Sequence, residues 1–112
     1  SNLYLFYEKK NKIKLFSKAN LYNGDITQSL LDNFKMPILT TMIRRKVFSK
    51  RKFDKKYNII GDFDLFFRLS KIVAFSYIHE PLAIYRKHSQ NFSILNTNLF
   101  VKEYSLWLKQ NK

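Results

Sequence analysis

The sequence predicts an α+β domain built from short elements, and three observations point that way. Apolar stretches of four to six residues, the length of strands, recur at 3–7, 13–16, 38–43, 74–78 and 82–85. Between and after them, 27–34, 62–71 and 95–109 carry apolar residues three and four apart, the period of a helix. The two glycines and two prolines fall at the joints between these runs.

Residues 3–7 and 13–16 flank the polar stretch Glu8-Lys9-Lys10-Asn11-Lys12 and read as a hairpin. Asn23-Gly24-Asp25 is a turn signal, after which Thr27 can N-cap a helix over 27–34. Its apolar stripe is Ile26, Leu30, Leu31 and Phe34. Pro37 stops that helix, and the β-branched run 38–43 reads as a buried strand. Residues 44–56 hold eight basic side chains against one acid, Asp54, so they read as a solvated loop with a helical turn near Val47-Phe48. A helix over 62–71 follows, with Asp62 at its N-cap, Asp64 in the first turn and Arg68 four residues after Asp64. Strands at 74–78 and 82–85 surround His79-Glu80-Pro81. An amphipathic helix over 95–109 ends the chain, with Leu95, Leu99, Tyr104, Trp107 and Leu108 on its apolar side.

A chain of 112 residues makes one domain with one modest core, small for an enzyme that binds two substrates. The absence of cysteine excludes a disulfide framework and thiolate metal sites. No apolar run reaches the roughly 20 residues of a membrane-spanning helix. The N-terminal residues do not have the layout of a signal peptide. A net charge of +13 suits a nucleic-acid or anionic-lipid partner. Only five of the 21 basic residues are Arg, however, and the excess of Lys with Asn, Ile and Phe equally fits an A/T-rich coding sequence.

Two segments carry groups able to do chemistry. In Gly61-Asp62-Phe63-Asp64-Leu65 with Arg68, Asp62 is a candidate general base on a rigid helix start, and Gly61 leaves room for a substrate near the backbone. The plain alternative is an N-capping Asp62 and a surface ion pair of Asp64 with Arg68. In Tyr85-Arg86-Lys87-His88 with Asn91 and Ser93, His88 can ligate a cation or donate to a phosphate oxygen, and Arg86 can fork onto the same group. Here the alternative is a solvated imidazole in a basic loop. His79 fills a turn. No zinc spacing, Walker loop, Gly-x-Gly-x-x-Gly or nucleophile elbow occurs.

Together these segments resemble the C-terminal, acceptor-side portion of a family 2 glycosyltransferase with the GT-A fold. That family carries an acidic pair followed by an aromatic, an acid, Leu and a downstream Arg, here Gly61-Asp62-Phe63-Asp64-Leu65-Phe66-Phe67-Arg68-Leu69. Its later pattern Glu-Pro-Leu-x-x-Tyr-Arg-x-His-x-x-Asn-x-Ser is matched at every fixed position from Glu80 to Ser93. The likeness covers roughly residues 20–93 and lies in the order and spacing of the pieces. Gly61 stands where many members have Glu, and the nucleotide-binding strands with their Asp-x-Asp motif find no counterpart in this chain.

The resemblance implies a partial GT-A-type fold and an inverting transfer of a sugar from a nucleotide-sugar to a hydroxyl of a glycan or lipid-linked glycan. It makes Asp62 the catalytic base, places Phe63, Asp64 and Arg68 beside the acceptor, and puts His88 and Arg86 near the diphosphate. It further implies Mn²⁺ or Mg²⁺ in the full-length enzyme, with His88 as the nearest ligand here and no cation on this portion alone, which is expected to be inactive. The setting it implies is cytoplasmic, peripheral to the membrane, with self-association of the exposed portion as a further expectation. From a different class, a small basic module could grip single-stranded nucleic acid through the 44–56 run and its aromatics. A membrane-surface patch made by that run and the Trp107 helix is compatible with the transferase.

Overall fold

Helix α3 (Gly61–Ser70) is apolar nearly all round, with Phe63, Leu65, Phe66, Phe67 and Leu69 in ten residues, so it can only sit at the centre. The computed structural model, which describes residues 1–18 and 23–111, places it there and buries seven of its residues. Phe63 and Phe67 face one cluster, with Tyr57, Ile60 and Trp107. Phe66 faces a second cluster, with Ile26 and Leu30, and Phe34 packs against both. The described residues form a small α+β domain in which a mixed three-stranded sheet accompanies five helices.

The expected hairpin is present as β1 (Asn2–Tyr7) and β2 (Lys12–Leu15), antiparallel, with Asn11 in the left-handed conformation that closes the turn. Strand β3 (Pro81–Lys87) pairs parallel with the other edge of β1, giving the order β2-β1-β3. Leu5 stands opposite Tyr85 on the inner face, while Tyr4 stands opposite Ile84 on the outer one. The outer positions of β3 stay open, with Leu82 66% and Ile84 61% exposed.

Helices α1 (Thr27–Asp32), α2 (Arg45–Phe48), α4 (Phe92–Leu95) and α5 (Thr97–Gln110) complete the domain. Helix α1 is shorter than expected: Asn33 leaves it in extended geometry, and Leu31 is exposed. Two expected strands do not form. Over 38–43 the chain instead makes a tight turn (Ile38–Thr40), because the Thr41 hydroxyl donates to the Pro37 carbonyl at 2.8 Å and Thr40 N–H closes on the same oxygen. Over 74–78 only Phe75 bridges, to Gly24, apart from the three-stranded sheet. Gly24 accepts that bridge at φ 76°, where a side chain would be strained. The start of the stretch that carries the resemblance, 20–22, lies outside the described residues.

Helix α5 presents a different inner face from the amphipathic reading. Trp107 is buried as expected, but Leu95 and Leu108 are exposed and Glu103 is buried in their stead. Its carboxylate accepts the backbone N–H groups of Asn58, Ile59 and Ile60 at 2.7, 2.9 and 3.1 Å. Three charge-assisted hydrogen bonds make a buried carboxylate tolerable where an unpaired one would not be.

Candidate active site

The start of α3 is arranged by residues distant in sequence. Ile60, its N-cap, has no side chain able to cap, and Glu103 takes the N–H groups just ahead of the helix from across the core. Asp62 therefore stands inside the first turn and not at the N-cap the sequence suggested. There its Oδ1 accepts the N–H of Phe63 at 2.8 Å, and the carboxyl lines a cavity of about 380 Å³.

Opposite it, β3 delivers Tyr85 and Lys87. Strand alternation puts 81, 83, 85 and 87 half-buried on the inner face and 82, 84 and 86 outside. After the strand, Asn91 pins the turn: its Oδ1 accepts the His88 N–H at 2.6 Å and its Nδ2 donates to the Arg86 carbonyl. Asn91 and Ser93 reach the cavity, and Leu3, Leu5 and Leu39 supply apolar wall. Two segments more than twenty residues apart thus converge on one concave surface with a carboxylate, an ammonium, a phenol and an amide.

Burial is the largest influence on Asp62 and pushes its pKa up, opposed by the N–H groups of Phe63 and of Asp62 itself. Burial also disfavours ionised Glu103, but its backbone donors outweigh that and hold its carboxyl below the usual range. Glu103 is thus satisfied as an anion, whereas Asp62 is left with a raised affinity for protons beside a cavity.

Compared with protein-family models, with curated proteins and with solved structures, the chain finds no match. The site must therefore be judged on its geometry.

Of the residues expected beside an acceptor, Phe63 is in the core, 4.8 Å from the Trp107 ring in edge-to-face contact. Asp64 is 5% exposed, with Oδ1 accepting from Trp107 Nε1 at 3.1 Å and Oδ2 taking Arg68 Nε at 2.9 Å. Arg68 also donates to the Lys52 carbonyl at 2.9 Å, tying the basic loop to α3. These three residues hold elements together and do not line the cavity, because helical spacing turns 63, 64 and 68 toward α5 and the loop. Gly61 likewise opens toward Phe53, 3.8 Å from where a Cβ would sit, and not toward a substrate path.

Arg86 points to the outer face and donates to Glu8 at 2.8 Å, on the opposite side of β3 from Tyr85 and Lys87. His88 accepts the Gln90 N–H on Nδ1 at 3.1 Å, which leaves the neutral ring an N–H donor at Nε2. That tautomer suits an anionic oxygen and not a metal ion. Among the described residues no group of three or more His, Asp or Glu could hold a cation. The resemblance puts its divalent cation in the full-length enzyme and not on this portion alone.

Lys87 was missed in reading the sequence. The signal was the period of two: once Tyr85 faces inward, Lys87 must as well, and Arg86 cannot.

Proposed function

We propose that the chain is the acceptor-side portion of an inverting, GT-A-type glycosyltransferase in which Asp62 is the general base. One observation carries the reading: the acidic segment at 61–65 and the Tyr85–Ser93 segment meet at a single cavity lined by the Asp62 carboxylate. A raised affinity for protons, imposed by burial, suits a group that must take one from an alcohol. The acceptor O–H proton passes to the Asp62 carboxylate as its oxygen bonds to the anomeric carbon. The bond from that carbon to the nucleoside diphosphate breaks on the opposite side, and its electrons leave with the diphosphate. Tyr85 and Leu39 offer surface for a sugar ring, and Lys87 is the cation nearest to hand for the departing anion. The open outer sheet face, with Ile13, Leu82 and Ile84 exposed, supports a setting in which a further unit packs against this one.

The test uses the longer polypeptide that contains this chain, a nucleotide-sugar donor and detection of the released nucleoside diphosphate. Asp62→Asn removes the base and should lower turnover by about 10²–10⁴-fold with the circular dichroism spectrum unchanged. Lys87→Ala should weaken turnover less. Full activity in Asp62→Asn would end the reading.

A further inference from the structure

The segment between Pro37 and Arg45 carries apolar surface open to solvent besides the wall it gives the Asp62 cavity. Met42 is 97% exposed, the most open large apolar side chain among the described residues, and Ile38 and Leu39 near it are each close to half exposed. A single exposed apolar side chain is ordinary, but three on one short segment form a patch.

The turn that carries it closes on its own threonines. Thr40 and Thr41 both donate hydroxyls to the Pro37 carbonyl, and the Thr40 hydroxyl also reaches the Ser1 carbonyl at 2.9 Å. With those hydroxyls engaged, the exposed side chains at 38, 39 and 42 are hydrocarbon. Beyond the turn, the chain from Thr41 to Arg44 lines a second cavity, of about 630 Å³. Val47, Val73 and Phe75 continue the apolar surface inward there.

Cations frame this hydrocarbon. Arg44, Arg45, Lys46, Lys50, Arg51 and Lys52 follow directly, and their side chains make no ion pair or hydrogen bond among the described residues. The single acid of the run, Asp54, is already paired with Lys56 at 3.2 Å. Exposed hydrocarbon collared by unpaired cations complements an anionic bilayer surface, where side chains enter the acyl boundary while charges meet headgroup phosphates. It complements nucleic acid less well. Single strands are gripped by open aromatic faces, and the aromatics of this run, Phe48 and Phe53, are packed edge to face on each other at 5.9 Å.

We propose that Ile38, Leu39 and Met42, with the cations from Arg44 onward, dock the protein on anionic lipid membranes. Trp107, buried against α3, takes no part. Leu39 and Ile38 also line the Asp62 cavity, so docking would hold that cavity against the lipid surface. The proposal does not rest on the transferase reading, and Asp62→Asn should bind membranes as the parent does.

Flotation of the protein with vesicles of phosphatidylcholine mixed with phosphatidylglycerol tests it, with pure phosphatidylcholine as the comparison. Binding should need the anionic lipid and weaken as salt is raised. Arg44→Glu with Arg45→Glu should lower the partition coefficient by about tenfold or more. Met42→Asp should lower it by about tenfold with melting temperature unchanged, since the side chain packs on little. Equal binding to both vesicle types, or a Met42→Asp protein that floats as well as the parent, would overturn the proposal. So would displacement from vesicles by a single-stranded RNA homopolymer at matched phosphate concentration, which would mark the surface as a general polycation.

Discussion

Burial raises the pKa of Asp62 against the pull of two N–H donors, so ionising this carboxyl costs more in the folded protein than in the unfolded chain. The consequence for stability has a definite sign. Below the unfolded-state pKa the group is neutral in both states and contributes nothing. As pH rises through its folded value, ionisation costs stability, and that cost persists at neutral pH. Asp62→Asn should therefore keep or raise the melting temperature at pH 7, and the variant's advantage should vanish in acid. A carboxylate that merely capped α3 would behave oppositely, its loss costing about 1 kcal/mol at neutral pH. Differential scanning calorimetry across pH separates the two.

Helices α3 and α5 are joined by two contacts of different chemistry, and each has its own signature. Glu103 receives three backbone N–H groups, and its depressed pKa gives the stability sign opposite to that of Asp62. Its contribution is full above the unfolded carboxyl pKa and disappears as pH falls through the folded one. Glu103→Gln should cost about 1–3 kcal/mol at neutral pH and little at the acid end, flattening the acid limb of the stability profile. Trp107 combines packing between Phe63 and Phe67 with a hydrogen bond to buried Asp64. Trp107→Phe keeps much of the packing and removes the donor, so urea denaturation should show a loss of about 1–3 kcal/mol. Arg68 still partners Asp64 in that variant and limits the damage.

Over the whole molecule, 21 basic residues stand against eight acidic ones, and few of the excess cations find partners. Self-repulsion of this kind weakens the folded state and is screened by salt. Thermal melts should move upward between about 0.05 and 0.3 M sodium chloride, the range over which the screening length falls to within roughly 10 Å. A decrease would mean that surface ion pairs matter more than repulsion. No helix among the described residues is long and apolar enough to cross a membrane.

Local patterning was enough to read the α+β class, the hairpin at the N-terminus, the central helix and the strand at β3, because propensity and period act over a few residues. The pairing of the two chemically rich segments was legible only through resemblance. Patterning failed at 38–43, where threonine hydroxyls competed with strand pairing, and at 74–78, where the chain makes a single bridge to Gly24 in place of a strand. It failed again at Glu103, whose burial depends on donors more than forty residues away. The sequence by itself determined which side chains could do chemistry at this protein's surface. Tertiary structure alone decided that Asp62 and Lys87 line a shared cavity while Asp64, Arg68 and Arg86 serve as fasteners. Side-chain direction is set by which neighbours pack on each face, and those neighbours come from the far ends of the chain.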